Sequence, residues 1–309
     1  MTMAFITAWA GAVPGYMTPL LLACLGLILC ERAGVLNLGV EGIMAVAAMT
    51  GAVAALAGMG AELALLAGAL AGLAVSLPFI LAVVVFRAPM IPAGLALVAI
   101  GLGASGALGR AAAHRNFSGL GNVGFPDALT GLPLVGRMLF AQDLVVYLAL
   151  ILAGVCSLIL FRTRAGLQLR AVGEDPAAAD SAGVDVQVHQ IVACMAGCTL
   201  IGLGGAYLSV AGSQTWTEGM VAGRGWIALA LVVFAQWSPL RAIAGAAVFA
   251  SADALIPRLQ TLGVEVPVYL LSMLPYALTI GVMVLFAVFG LHRQGEPGHL
   301  GRPYIRQDR

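Results

Sequence analysis

Apolar runs of about the length needed to cross a lipid bilayer recur through nearly the whole chain, and this recurrence limits the fold more than any other feature. A helix needs about 20 predominantly apolar residues to cross a hydrocarbon layer roughly 30 Å thick. Runs of this kind occupy 17–31, 38–58, 62–86, 92–110, 143–161, 189–211, 225–237, 239–257 and 268–290. Only 9% of the 309 residues are charged and 61% are hydrophobic, whereas a soluble domain carries about 25% charge. The pattern predicts an all-α, polytopic transmembrane helical bundle of about nine spans. A transmembrane barrel would need strands of about ten alternating residues, and no such alternation is found. The run 225–237 is short for a full crossing, and residues 3–13 suit a segment lying along the interface. Gly68 and Gly72, four apart with Ala69 and Ala71 between, form a small-residue face of the sort that lets helix backbones approach in lipid.

Several chemistries are excluded or disfavoured. A net charge of +1 without basic amphipathic stretches gives no sign of a nucleic-acid partner. All fifteen basic residues are arginine, so no lysine exists to build a P-loop or a Schiff base. Gly101-Leu102-Gly103-Ala104-Ser105-Gly106 matches a dinucleotide fingerprint in letters only; it lies inside an apolar span with no preceding strand and reads as helix packing. Cys24, Cys30, Cys156, Cys194 and Cys198 all sit in apolar runs and suit small buried thiols. Cys194 and Cys198, one helical turn apart, are the only pair that invites thought of a metal. The four histidines lack metal-ligand spacing. No catalytic residue and no metal site are expected.

Arginine placement predicts orientation, because basic residues accumulate in cytoplasmic loops. If 162–188 is cytoplasmic, that side receives Arg32, Arg87, Arg162, Arg164, Arg170, Arg241, Arg293, Arg302, Arg306 and Arg309, and the other side Arg110, Arg115, Arg137, Arg224 and Arg258. The amino terminus is then outside and the 291–309 tail inside. Two loops are long, the external 111–142 and the internal 162–188. A polar, glycine-rich motif opens a span from the inside at Asn37–Gly42 and another from the outside at Glu218–Gly225. Such an echo of opposite polarity is what an inverted-topology repeat would leave.

Within 162–188, Asp175 suits a helix N-cap, Pro176 the first helical position and Gly183 a left-handed terminating residue. These predict a stiff helix of about two turns on the cytoplasmic surface, shaped either to fit a groove in another protein or simply to lie along the membrane. Glu41 sits inside an apolar span, where an exposed carboxylate would cost about 2.5–3.5 kcal/mol. With Asn37 one turn away, it either lines a polar pathway or braces helix ends, with Arg32 as a candidate partner. Gln214, Trp216, Glu218 and Arg224, with Trp226, mix donors, acceptors and aromatic faces. They could guide a hydroxylated ligand, although tryptophans at such places also serve as interfacial anchors. Asp253 is the other ionisable group at depth, with Arg258 the expected partner.

Glu174-Asp175-Pro176-x-Ala178-Ala179, with Gly183 following, resembles the coupling-helix motif of ABC-importer permeases. Gly34-Val35-Leu36-Asn37-Leu38-Gly39-Val40-Glu41-Gly42 resembles the signature of the ribose-type and branched-chain-amino-acid-type permease superfamily, in particular its nucleoside or simple-sugar uptake group. The resemblance extends from about residue 15 to 290. It implies one transmembrane permease domain over 1–309 in a bacterial inner membrane. It also implies an ABC ATPase subunit docked on Glu174, Asp175, Pro176, Ala178, Ala179 and Gly183, a second permease subunit that is a different chain, and an extracytoplasmic solute-binding protein. ATP and magnesium would be bound on the ATPase and no cofactor on this chain. Alternating access would carry a nucleoside-like solute inward past Asn37, Glu41, Gln214, Trp216, Glu218 and Arg224, with a simple sugar or riboflavin as alternatives. From the residues alone, an ion-coupled carrier using Glu41 and Asp253, or a membrane scaffold, also stays open.

Overall fold

The computed structural model describes residues 2–132, 135–261 and 295–305, together with isolated positions between 273 and 288. The expected span at 268–290 therefore lies outside the continuously described residues. Among the described residues no strand forms, and two isolated bridges pair Ala113 with Trp216 and Asn122 with Asp143. The fold is all-helical.

Helix α1 (Thr2–Arg32) is continuous, so the segment expected to lie along the interface is instead the first third of a long helix. Tertiary contacts hold it there. Trp9 Nε1 donates to the Ser251 carbonyl at 2.9 Å, and Gly11 brings the helix backbone against Arg137. Pro14 and Pro19 are both accommodated inside α1, and the Thr18 hydroxyl donates to the Pro14 carbonyl at 2.9 Å. That carbonyl is not one of those the prolines free, which belong to Ala10 and Gly15, four residues before each.

The chain continues through α2 (Val40–Leu56), α3 (Ala61–Ile80, extended by a wide turn to Val85), α4 (Met90–Gly109), a single turn α5 (Asp127–Thr130) and α6 (Leu144–Arg162). Then come α7 (Arg164–Glu174), α8 (Pro176–Ser181), α9 (Val186–Tyr207, extended to Ser213), α10 (Arg224–Phe234) and α11 (Pro239–Thr261). Among the described residues, six helical stretches are long and apolar enough to cross a membrane: Phe5–Arg32, Ala61–Val85, Met90–Ala112, Leu144–Arg162, Val186–Ser213 and Pro239–Leu259. The two remaining apolar helices, α2 and α10, are shorter, at 17 and 11 residues. The expected count of nine thus resolves, among the described residues, into six long spans and two short ones.

Helix α9 is the hub, packing on α1, α2 and α3. Glycines set how closely these backbones meet. A Cβ on Gly72 would lie 2.6 Å from the Gly202 Cα, and one on Gly101 would lie 2.5 Å from Gly42. The small-residue face of α3 and the fingerprint-like run in α4 are therefore both helix-packing surfaces. Hydrophobic burial contributes little to helix association inside lipid, so this van der Waals contact is what the small residues supply. All five cysteines are buried free thiols, and among the described residues no three metal-ligating side chains cluster.

Candidate functional site

Helix α10, at 1.5 Å per residue, is about 16 Å long, half the thickness of a hydrocarbon core. The other half of that passage is not helical. Residues 214–217 are irregular and 218–223 run as consecutive turns, with positive φ at Gln214, Gly219, Ala222 and Gly223. Their contacts follow α4 downward: Trp216 packs on Gly109, Glu218 lies beside Gly106, and α10 begins at the level where Gly101 meets Gly42. Irregular backbone at such depth is tolerated only where protein encloses it or it lines a cavity.

The turns end against Glu41. Its Oε1 accepts the Gly223 amide and its Oε2 the Gly225 amide, each at 2.8 Å. A carboxylate against the first amides of a helix satisfies donors that have no intrahelical partner and complements the positive end of the helix dipole. Any side chain at 225 would collide, since a Cβ there would lie 2.7 Å from the Glu41 carboxylate. Asn37 lies in the non-helical link before α2, not one helical turn from Glu41, and is fully buried; its Oδ1 accepts the Gly39 amide at 2.9 Å and its Nδ2 donates to Cys198 Sγ at 3.4 Å. The two glycine-rich motifs seen in the sequence are thus brought into direct contact. Arg32 is not Glu41's partner: its guanidinium donates twice to the Trp237 carbonyl at 3.1 Å.

Above this junction, toward the end of the bundle away from α8, opens a cavity of about 560 Å³. Tyr16 and Pro19 of α1 form one wall, Gln142, Asp143 and Tyr207 a second, and Thr217 and Arg224 the floor. Tyr207 donates its hydroxyl to Asp143 Oδ2 at 2.5 Å, and the other oxygen of Asp143 caps α6 through the Val145 and Val146 amides. Arg224 Nε lies 3.8 Å from Asp253 Oδ2. The expected partner was Arg258, but five residues along a helix is a rotation of about 140° away from Asp253, whereas Arg224 reaches across from α10.

Of the other sequence candidates, Gln214 and Glu218 are exposed on the descending turns. Trp216 is no interfacial anchor: it is 2% exposed and packed among Ala48, Met49 and Ala52. Trp226 is 39% exposed. Sequence reasoning missed Tyr16, Gln142, Asp143 and Tyr207. The two tyrosines, each a polar tip within an otherwise apolar span, were the available signal.

At the opposite end, α8 has the caps its sequence prescribes. Asp175 Oδ1 accepts the Ala177 and Ala178 amides at 3.0 Å, Pro176 occupies the first turn, and Gly183 has φ +84°. The Val184 amide donates back to the Ala179 carbonyl at 3.0 Å, closing the C-terminal motif. Pro176 and Ala179 face inward, while Glu174, Asp175, Ala177, Ala178, Ser181 and Ala182 are exposed. Helix α7, not anticipated from the sequence, carries α8 at its end. Arg32 and Arg170 stack on the Phe161 ring at 5.6 and 5.2 Å near this same end.

A bundle of apolar helices with a broken passage, a cavity of mixed polar and apolar lining at one end and a small capped helix at the other defines a multi-pass membrane protein of the transport class. The particular family follows from comparison. Residues 11–283 match the family described as the permease component of the branched-chain amino acid transport system, and the chain belongs to it. It is 38% identical to a putative glucose ABC transporter permease protein of Haloferax volcanii, over 84% of this chain and 80% of that one. It is 34% identical to the guanosine ABC transporter permease protein NupQ of Bacillus subtilis, over 95% of each. It is also 34% identical to the nucleoside ABC transporter permease protein NupC of Lactococcus lactis, over 88% of this chain and 89% of that one. The protein is a permease subunit of an ABC importer.

Proposed function

We propose that this permease carries a nucleoside-like solute into the cytoplasm by alternating access, driven by ATP hydrolysis on a partner ATPase. The observation that carries the reading is the pairing, in one member of this family, of a rigid capped helix at one end with a cavity of mixed aromatic, polar and apolar lining on a half-length helix at the other. Broken helices whose N-termini face the pathway are a recurrent way of building a transport site. Tyrosine faces and the amide, carboxylate and guanidinium groups around the 560 Å³ cavity suit a ligand with a flat ring and several hydroxyls.

In this reading α8 is the coupling helix. Its exposed face, with Glu174, Asp175 and Ala178, fits a groove on the ATPase, while Pro176, Ala179 and Gly183 fix its shape. ATP and magnesium are bound by that partner, and no cofactor by this chain. The α8 end, which gathers Arg32, Arg87 and Arg170, is cytoplasmic by the positive-inside rule, and the cavity faces outward to a solute-binding protein. The amino terminus is then outside. A second permease subunit, a different chain, completes the pathway in a bacterial inner membrane. The proposed count of about nine spans includes the apolar run 268–290, which lies outside the continuously described residues, and the meeting of Asn37–Gly42 with Glu218–Gly225 is consistent with an inverted repeat.

A sugar is the second reading, favoured by the 38% identical relative named for glucose. Thermal-shift measurements on the cognate binding protein with nucleosides and simple sugars separate the two: stabilisation by sugars alone removes the nucleoside assignment. Reconstitution decides the energy source. Uptake requires the ATPase and ATP; accumulation by the purified chain alone, driven by a proton or sodium gradient, would overturn the importer mechanism.

A further inference from the structure

Residues 295–305 run across the α8 end of the bundle and touch several elements that are distant in sequence. Gly295 lies beside the Gln236 carbonyl and Arg32. The Gly298 amide donates to Glu174 Oε2 at 3.0 Å and the His299 amide to the Gly173 carbonyl at 2.9 Å, at the end of α7. Leu300 packs on the main hydrophobic core. The Gly301 amide donates to the Gly34 carbonyl at 3.2 Å, in the turn between α1 and α2. Tyr304 then reaches α8, where its ring packs against Val172, Ala179 and Val186 and its hydroxyl donates to Asp180 Oδ2 at 3.2 Å.

Helix α8 needs such support. Its own apolar face is only Pro176 and Ala179, and its helix contacts are with α7 and the start of α9. A helix this short has little stability of its own and depends on tertiary packing. A coupling element must also transmit both pushing and pulling, and pulling requires attachments that hold under tension. The hydrogen bonds from 298, 299 and 301 attach the end of α7 and the α1–α2 turn to one segment, and Tyr304 attaches α8 to the same segment.

We propose that residues 295–305 are a strut of the coupling machinery, with Tyr304 as the positioning residue. The strut ties α8 to the α1–α2 turn, so that displacement of α8 by the ATPase is carried into α1 and α2. From α2 it passes through Glu41 to the start of α10. This inference rests on the importer reading above.

The test uses the complete complex of permeases, ATPase and binding protein in proteoliposomes, comparing wild type, Tyr304→Ala, Tyr304→Phe and a chain ending at residue 294. Three quantities are read: ATPase retained on purification, ATP hydrolysed, and solute imported per ATP. Tyr304→Ala should keep the ATPase bound and its hydrolysis within about twofold, while solute per ATP falls about fivefold or more, the size of a typical coupling free energy. Tyr304→Phe keeps the ring in its cluster and should restore most of the ratio, and the shortened chain should lose it. An unchanged ratio in Tyr304→Ala or in the shortened chain overturns the strut. Loss of the ATPase from the Tyr304→Ala complex overturns it too, since the segment would then be a docking surface. A wild-type complex without ATP-dependent uptake would instead refute the importer reading.

Discussion

Glu41 Oε2 accepts the amide hydrogen of Gly225 at 2.8 Å, joining residues 184 apart in the sequence and fixing the start of α10 against the start of α2. Because the second carboxylate oxygen takes the Gly223 amide, one side chain holds both amides of an interrupted passage. Glu41→Gln keeps the shape, removes the charge and replaces one acceptor with a donor. It should lower stability by about 1–3 kcal/mol, the cost of disrupting buried charge-assisted hydrogen bonds. Gly225→Ala should cost a similar amount through overpacking. Thermal unfolding in detergent measures both, and a melting temperature unchanged in either variant would contradict this role.

The caps of α8 predict a separation between insertion and coupling. Asp175→Ala removes the acceptor for two amides and should cost about 1 kcal/mol of local helix stability. Gly183→Pro and Glu174→Arg should abolish uptake and stimulation of the partner's ATPase, with the protein still inserted in the membrane. Pro cannot adopt the positive φ at 183, and arginine at 174 reverses the charge of the exposed face and loses the Gly298 contact. Normal uptake by both variants would remove α8 from the mechanism.

Arg224 and Asp253 couple α10 to α11 at the cavity floor. Each single replacement, Arg224→Gln or Asp253→Asn, leaves a partly buried charge without its partner. The double variant should be less destabilised than the sum of the two, with an interaction term of about 0.5–3 kcal/mol. A double-mutant cycle by chemical denaturation in micelles gives this directly, and strict additivity would show that the pair carries no energy.

In the proposed reading, the cavity walls divide into structural and solute-facing groups. Tyr207→Phe deprives Asp143 of a 2.5 Å donor and should lower stability by about 1–3 kcal/mol. Tyr16→Ala removes an aromatic face whose hydroxyl makes no side-chain hydrogen bond among the described residues, and should raise the transport KM about twofold to tenfold, in line with the value of aromatic contacts. Uptake kinetics in proteoliposomes, alongside unfolding curves, distinguish these outcomes. A KM unaffected by Tyr16→Ala would place the solute path elsewhere.

His299 should make docking of the 295–305 segment pH-dependent. Burial lowers its pKa below the ordinary value, the positive charge of Arg302 lowers it further, and Asp175 opposes the shift. Its Nε2 is enclosed with no hydrogen-bond partner among the described residues. The folded state therefore binds the proton less readily than the unfolded chain. Stability is complete above the unfolded pKa of about 6.5 and is lost as pH falls through the lower folded value. The protection factors of the Gly298 and Gly301 amides, taken against an intrinsic exchange rate that itself slows as pH falls, should be smaller at pH 5 than at pH 7.5, and His299→Gln should flatten the difference.

The sequence by itself determined the membrane class, the positions of the long helices and the capped form of α8. All three depend on interactions between neighbours in the chain: the length of an apolar run, or an Asp-Pro start and a glycine stop within ten residues. It also indicated that Gly68, Gly72 and Gly101 would be packing positions, because small residues in an apolar helix have few other uses. Only the tertiary structure decided that α1 runs unbroken from Thr2, that Trp216 is interior, that Asp253 pairs with Arg224, and that residues 295–305 cross α8. Each of these turns on contacts between segments tens to hundreds of residues apart. In a chain whose helices are apolar on nearly every face, hydrophobic patterning does not say which face meets which. The distances at which Gly72 meets Gly202, and Glu41 the start of α10, are set by the three-dimensional packing of small residues and the need to satisfy every backbone amide at depth.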